Sequence, residues 1–149
     1  MSLEPGTYII TSPALEDSVI ARSTREDLSL LPKKVVSIAK SATEPALSTW
    51  VVAKVDDRYK LIVKGYPTAP LDDKLFAILS EEPPAEEWIV TYRKNHEAYT
   101  IETSSRERGW VVPLPDSEDN QVLVQGLITG QSLPPYFPAT ELFKFIKVD

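Results

Sequence analysis

Three hexapeptides limit what this chain can fold into: "PALSTW" at 45–50, "PPAEEW" at 83–88 and "PATELF" at 138–143. Each sets a proline five residues ahead of a large aromatic. Each is followed by a short apolar run, "VVAKV", "IVTYR" and "KFIKV". Each is preceded by another apolar run and a polar linker: "KVVSIAK" with "SATE", "KLFAILS" with "EE", and "QVLVQGL" with a longer linker ending in "LPPYF". Self-similarity at a long period marks a repeated supersecondary unit. After the first two aromatics the polar turns "DDR" and "KNHE" lead to the tyrosine-bearing runs "YKLIV" and "YTIET". The third copy has run out of chain at that point. The run "GTYIIT" near the start carries Tyr8, has no upstream partner, and can complete it. Trp50, Trp88 and Phe143 then become related positions, with Tyr8, Tyr59 and Tyr99 opposite them.

The runs themselves read as strands. "GTYIIT", "SVIAR", "KVVSIAK", "TWVVAKV", "YKLIVKG", "KLFAILS", "EWIVTYR", "AYTIETS", "GWVVPL", "QVLVQGL" and "LFKFIKVD" are short, alternate apolar with polar, and favour Val, Ile, Tyr and Trp. Turn residues separate them, and 13 prolines would break most helices drawn through the chain. The expectation is an all-β chain in one domain over residues 1–149. Three repeats, the last completed by the first strand, describe a closed structure without the exposed edges of an open sheet. This predicts a pseudo-threefold β-trefoil of about 12 strands: a six-stranded barrel capped at one end by three hairpins. A β-sandwich gives no reason for the threefold proline spacing.

The residues that carry chemistry are sparse. There is no cysteine, hence no disulfide, thiolate metal site or cysteine nucleophile. The one histidine, His96, sits in the turn "RKNHEAY" and reads as a solvated turn residue; no base for a serine nucleophile is evident. The acidic turns "DD" at 56–57, "DD" at 72–73 and "DSED" from 116 lack the glycine and distal glutamate of a calcium loop. Carboxylates on turns of different repeats do not form a glycosidase pair. With five glycines there is no phosphate-cradling loop. The reading is therefore a binding protein: no enzyme, no catalytic residue, no metal and no cofactor. A formal charge of -6 excludes the basic face that nucleic acid demands. No apolar run reaches the roughly 18 to 20 residues of a membrane span, and the start lacks a signal-peptide pattern. A cytoplasmic, membrane-independent monomer is the expectation.

The opening "MSLEPGTYII", the length, the lack of cysteine and the threefold repeat together resemble the small mushroom β-trefoil protease inhibitors. The similarity is greatest to the trypsin-inhibiting cospin group and more distant to the mycocypins. The resemblance implies a protein defending the fungus against digestive enzymes of animals that eat it. It also implies that the loop between the second and third strands is the one that blocks a serine protease. In this chain that loop lies within "STREDLSLLPKK", residues 23–34. Arg25 is the candidate P1 residue, because trypsin-like enzymes select a long cation with an aspartate deep in their specificity pocket and Arg matches carboxylate bidentately. Ser23, Thr24, Glu26 and Asp27 would make the flanking extended contacts, and Arg22 is the second choice. Glu26 and Asp27 follow Arg25 directly; acidic groups there usually disfavour trypsin-like binding and can also slow cleavage. Mycocypin-like activities are not indicated, since there is no Gly-Gly pair and the loop "GYPTAPLDDK" has no asparagine.

The alternative is a carbohydrate-binding trefoil. Ricin-type sugar sites resemble a Gln-x-Trp pattern near the end of each repeat, and no glutamine stands two residues before any tryptophan here. If a sugar site exists, the exposed aromatic it needs would come from Trp110 in "SSRERGWVV" or Tyr136 in "PPYFPATE". Trp110 reads more naturally as a packed hairpin residue.

Overall fold

The computed structural model describes residues 3–15, 18–24, 28–80, 84–113, 119–130 and 135–148. Among these residues twelve strands follow one another: β1 (Gly6–Thr11), β2 (Ser18–Arg22), β3 (Lys33–Ala39), β4 (Trp50–Val55), β5 (Arg58–Val63), β6 (Tyr66–Leu71), β7 (Lys74–Ala77), β8 (Ile89–Arg93), β9 (Ala98–Glu102), β10 (Gly109–Val111), β11 (Leu123–Gln125) and β12 (Lys144–Lys147). The one α-helix is a single turn, α1 (Pro45–Ser48), with short 3-10 turns at Lys40–Ala42 and Ala139–Glu141 among the described residues. Two of these turns explain the proline of the repeated motif. Pro45 opens α1, where its missing N–H costs no hydrogen bond, and Pro138 caps the turn before Phe143.

The predicted ring of six strands is present. Antiparallel ladders join β12 to β1, β1 to β4, β4 to β5, and β8 to β9. The two remaining seams are single bridges, Tyr59 with Trp88 and Tyr99 with Phe143. Each bridge carries a reciprocal pair of backbone hydrogen bonds of 2.7–2.8 Å. The third equivalent pair, Tyr8 opposite Trp50, lies in the β1–β4 ladder. The expected threefold pairing of tyrosine with the motif aromatic is thus realised three times over, at each junction between repeats. A second closed path, β3-β2-β1-β4-β5-β6-β7, is completed where β3 meets β7, giving a seven-stranded closure with the other strands outside it.

The hairpins β2–β3, β6–β7 and β10–β11 form the cap and are laced together. β7 pairs with β3 and with β11, and Val36 of β3 bridges Gln121. At the centre stands Trp110, which sequence reading treated as one packed residue among many. Its ring centroid lies 5.6 Å from Trp50, 5.6 Å from Trp88 and 5.7 Å from Phe143, so it touches all three motif aromatics. All four side chains are fully buried. Truncating one of them to Ala would cost about 3–5 kcal/mol by cavity formation alone. The indoles of two are also tied to the backbone and to a cap strand: Trp50 Nε1 donates to the Ile20 carbonyl (2.8 Å) and Trp88 Nε1 to Thr68 Oγ1 (3.0 Å).

One expectation needs correction. "GYPTAPLDDK" is expected as a loop, yet its two prolines lie within strand β6, Tyr66–Leu71. A proline is tolerated in a strand wherever its missing N–H has no ladder role. Pro67 still contributes as an acceptor, taking the Ile78 N–H at 2.8 Å. Between them Thr68 is fully buried and donates its hydroxyl to the Leu61 carbonyl at 2.9 Å.

Candidate functional site

Strands β2 and β3 pair over five residues, from Ser18 with Ala39 to Arg22 with Val35. The Ser23 N–H adds one more bond, to the Lys34 carbonyl at 3.0 Å. Inward-pointing Ile20 and Val35 are wholly buried, so the root of the hairpin belongs to the core. From this root the chain makes a connection of ten residues, 23–32, before β3 begins. The threefold-related turn between β6 and β7 has two residues, Asp72 and Asp73. The other related connection, between β10 and β11, runs over residues 112–122, so two of the three cap hairpins carry long connections and β6–β7 alone is tight.

The side chains of this loop divide by position. Ser23 is half-buried at the root and Thr24 is exposed; Arg25, Glu26 and Asp27 lie outside the described residues. Leu28, Leu30 and Leu31 then stand in solvent at 104%, 68% and 66% relative exposure. Ser29 Oγ accepts hydrogen bonds from the Leu31 N–H and from Lys33 Nζ, each at 3.3 Å. Lys33 is itself buried and paired with Ala77 of β7, so this small network ties the returning half of the loop to the seam where the strands close.

The second-choice cation is differently placed. Arg22 ends β2 with 3% exposure, its guanidinium 6.0 Å from the centre of the Tyr66 ring. A residue paired in the ladder and covered in this way presents no side chain to a partner. Two of the cations on other turns are engaged within the molecule. Arg93 donates from Nε to Thr100 Oγ1 (3.0 Å), approaches Glu102 at 3.5 Å and lies 4.5 Å over Phe137. Arg108 donates to the Asp72 carbonyl at 2.7 Å and pairs with Asp73 at 3.5 Å, bracing the short β6–β7 turn.

The long β11–β12 connection is held from inside. Glu141, buried at 2% exposure, accepts the Ile128 N–H on Oε2 at 2.7 Å. Burial pushes its carboxyl above the ordinary value, and the Ile128 hydrogen bond partly opposes this. His96 is not merely solvated: its Nε2 accepts the Phe137 N–H at 3.1 Å and its ring meets Tyr136 at 5.0 Å. Trp110, being fully buried, presents no face to a sugar, whereas Tyr136 is 58% exposed. Among the described residues no group of three or more His, Asp or Glu side chains could hold a metal ion.

A β-trefoil with no catalytic constellation among the described residues and a long, tethered loop on its cap fits one class: a barrel that offers a loop to another protein. Comparison with known proteins gives that class its family. The family model described as "Peptidase inhibitor I66" matches residues 1–147. A serine protease inhibitor of Lentinula edodes is 35% identical over 99% of this chain and 100% of its own length. The solved structure of a proteinase inhibitor from Coprinopsis cinerea superposes with a TM-score of 0.89 at 42% identity, covering 99% of this chain and all of that one. The lactose-bound ricin B-like lectin of Macrolepiota procera superposes with a TM-score of 0.69 at 14% identity, covering 99% of this chain and 100% of that one. That likeness is one of fold alone.

The chain belongs to the I66 family of peptidase inhibitors. It is a protease inhibitor and not an enzyme.

Proposed function

We propose that this chain inhibits trypsin-like serine proteases by inserting the β2–β3 loop into the active-site cleft in the manner of a substrate, with Arg25 as the P1 residue. The observation that carries the reading is the loop itself. Its ten residues are rooted in a fully paired hairpin and tied on the returning side through Ser29 to buried Lys33. An inhibitor of this kind binds tightly because its loop is ordered before contact, so little entropy is lost on binding. It resists cleavage because the barrel keeps both ends of the loop in place. The guanidinium of Arg25 supplies the planar cation that an aspartate at the base of a trypsin-like pocket selects.

The test is a titration of trypsin with the wild-type protein and with Arg25→Ala, the fold of each checked by circular dichroism. The wild type is expected to inhibit with one-to-one stoichiometry, as a monomer. Arg25→Ala is expected to lose about 2–4 kcal/mol or more of binding, the usual cost of removing a buried anchor. An unaffected trypsin overturns the proposal. Inhibition that survives the substitution unchanged overturns the role of Arg25.

A further inference from the structure

Leu28 is the most exposed large apolar side chain among the described residues, and two of the next three residues, Leu30 and Leu31, are exposed leucines as well. In the hairpin that carries them Val19, Ile20, Val35 and Val36 are buried to 3% exposure or less. Hydrophobic side chains scattered singly over a surface need no explanation, but a run of them on a loop that a partner is to meet does.

We propose that Leu28 is a second anchor on the same loop, filling the deep apolar primary pocket of chymotrypsin-like serine proteases. The inference rests on the reading of residues 23–32 as the protease-binding segment, and adds to it a second class of target. The local chemistry fits this register. A chymotrypsin-like pocket is a hydrophobic slot without an aspartate at its base, and it takes an unbranched approach followed by a bulky apolar end, as leucine provides. In the sequence Leu28 is followed by Ser29, a small neutral residue, whereas Arg25 is followed by two carboxylates, Glu26 and Asp27. Ser29 is also the tethered residue, its Oγ held by the Leu31 N–H and by Lys33 Nζ at 3.3 Å each. The leaving side of the Leu28–Ser29 bond is therefore fixed to the closing seam of β3 and β7, the arrangement that slows departure of a cleaved end. Leu28 itself makes no demand on the core, so its side chain is free to be a specificity determinant.

The experiment measures inhibition constants of the wild type, Arg25→Ala and Leu28→Ala against trypsin and against chymotrypsin, followed by size-exclusion of the inhibitor with both enzymes together. The expected pattern is a crossed one. Leu28→Ala weakens chymotrypsin inhibition about a hundredfold and at least tenfold more than it weakens trypsin inhibition, while Arg25→Ala shows the opposite order. The two enzymes compete, because residues 25 and 28 cannot occupy two clefts at once, and no ternary complex elutes. A wild type that inhibits trypsin and spares chymotrypsin overturns this inference while the trypsin reading stands. Chymotrypsin inhibition insensitive to Leu28→Ala, equal losses toward both enzymes, or a ternary complex likewise overturns it. A wild type that inhibits neither enzyme overturns both readings.

Discussion

Trp110 and Trp50 offer a matched pair of substitutions. Both side chains are fully buried, and their rings lie 5.6 Å apart in one aromatic cluster. Replacing either by Phe removes a similar volume, so the transfer and cavity costs largely cancel when the two variants are compared. The indole N–H groups differ. Trp50 Nε1 donates to the Ile20 carbonyl at 2.8 Å, whereas Trp110 Nε1 has no hydrogen-bond partner among the described residues. Trp50→Phe loses a buried hydrogen bond and leaves its acceptor short, a penalty of about 1–3 kcal/mol. Trp110→Phe removes an unpaired buried donor and relieves a cost of about 1–3 kcal/mol. The two variants should differ by about 2–6 kcal/mol, with Trp110→Phe the more stable. For a chain of this size a 2 kcal/mol gap alone moves Tm by about 4–8 °C. Urea unfolding followed by far-UV circular dichroism measures the gap directly, provided both variants unfold with the same m value. Equal losses, or a larger loss for Trp110→Phe, would refute the assignment of Trp110 as an indole buried at a cost.

Two further outcomes follow from buried polar groups. Thr68→Val keeps the shape of a fully buried residue but deprives both Trp88 Nε1 and the Leu61 carbonyl of their partner, so a loss of about 2–4 kcal/mol is expected in the same unfolding assay, with Thr68→Ser recovering most of it. Glu141 has a raised folded-state pKa, so it binds its proton more tightly in the folded than in the unfolded chain, where the value is near 4.5. Its contribution is fully present below that value and is lost as pH rises through the folded-state pKa. The stability of Glu141→Gln relative to wild type should therefore increase from pH 4 to pH 8, and a difference in Tm that stays flat with pH would contradict it.

Much of the fold was legible because the residues that make it are the repeated ones. The proline five places before each aromatic has a local cause in two repeats, where Pro45 and Pro138 start a helical turn just ahead of the strand. The tyrosines opposite those aromatics could be named from spacing alone, and all three pairs are present. Strand β6 was hidden because "YPTAPL" contains none of the Val and Ile residues by which the other strands were read. The centrality of Trp110 was hidden too. It belongs to no repeated motif, and its position depends on three chain segments meeting at one point. His96 could be seen as a turn residue, but its bond to the Phe137 N–H joins positions 41 apart in sequence. At the candidate site the expected loop, 23–34, runs into β3, which begins at Lys33; the internal tether through Ser29 and the burial of Lys33 were not readable, since a serine and a lysine in a polar stretch carry no periodic signal.

The unequal lengths of the threefold-related connections have a consequence for how such a protein can change. Where β6 and β7 are joined by two residues, β2 and β3 are joined by ten, yet both hairpins pair within the same cap. Lengthening a flexible connection from two residues to ten costs about 1.4 kcal/mol in closure entropy. Stability is thus stored in Trp50, Trp88, Trp110, Phe143 and their tyrosine partners, while the proposed recognition sequence is written on a segment that those residues do not read. The two can drift at different rates. Against proteases that themselves diversify, such a chain can exchange its target many times over without ever having to relearn how to fold.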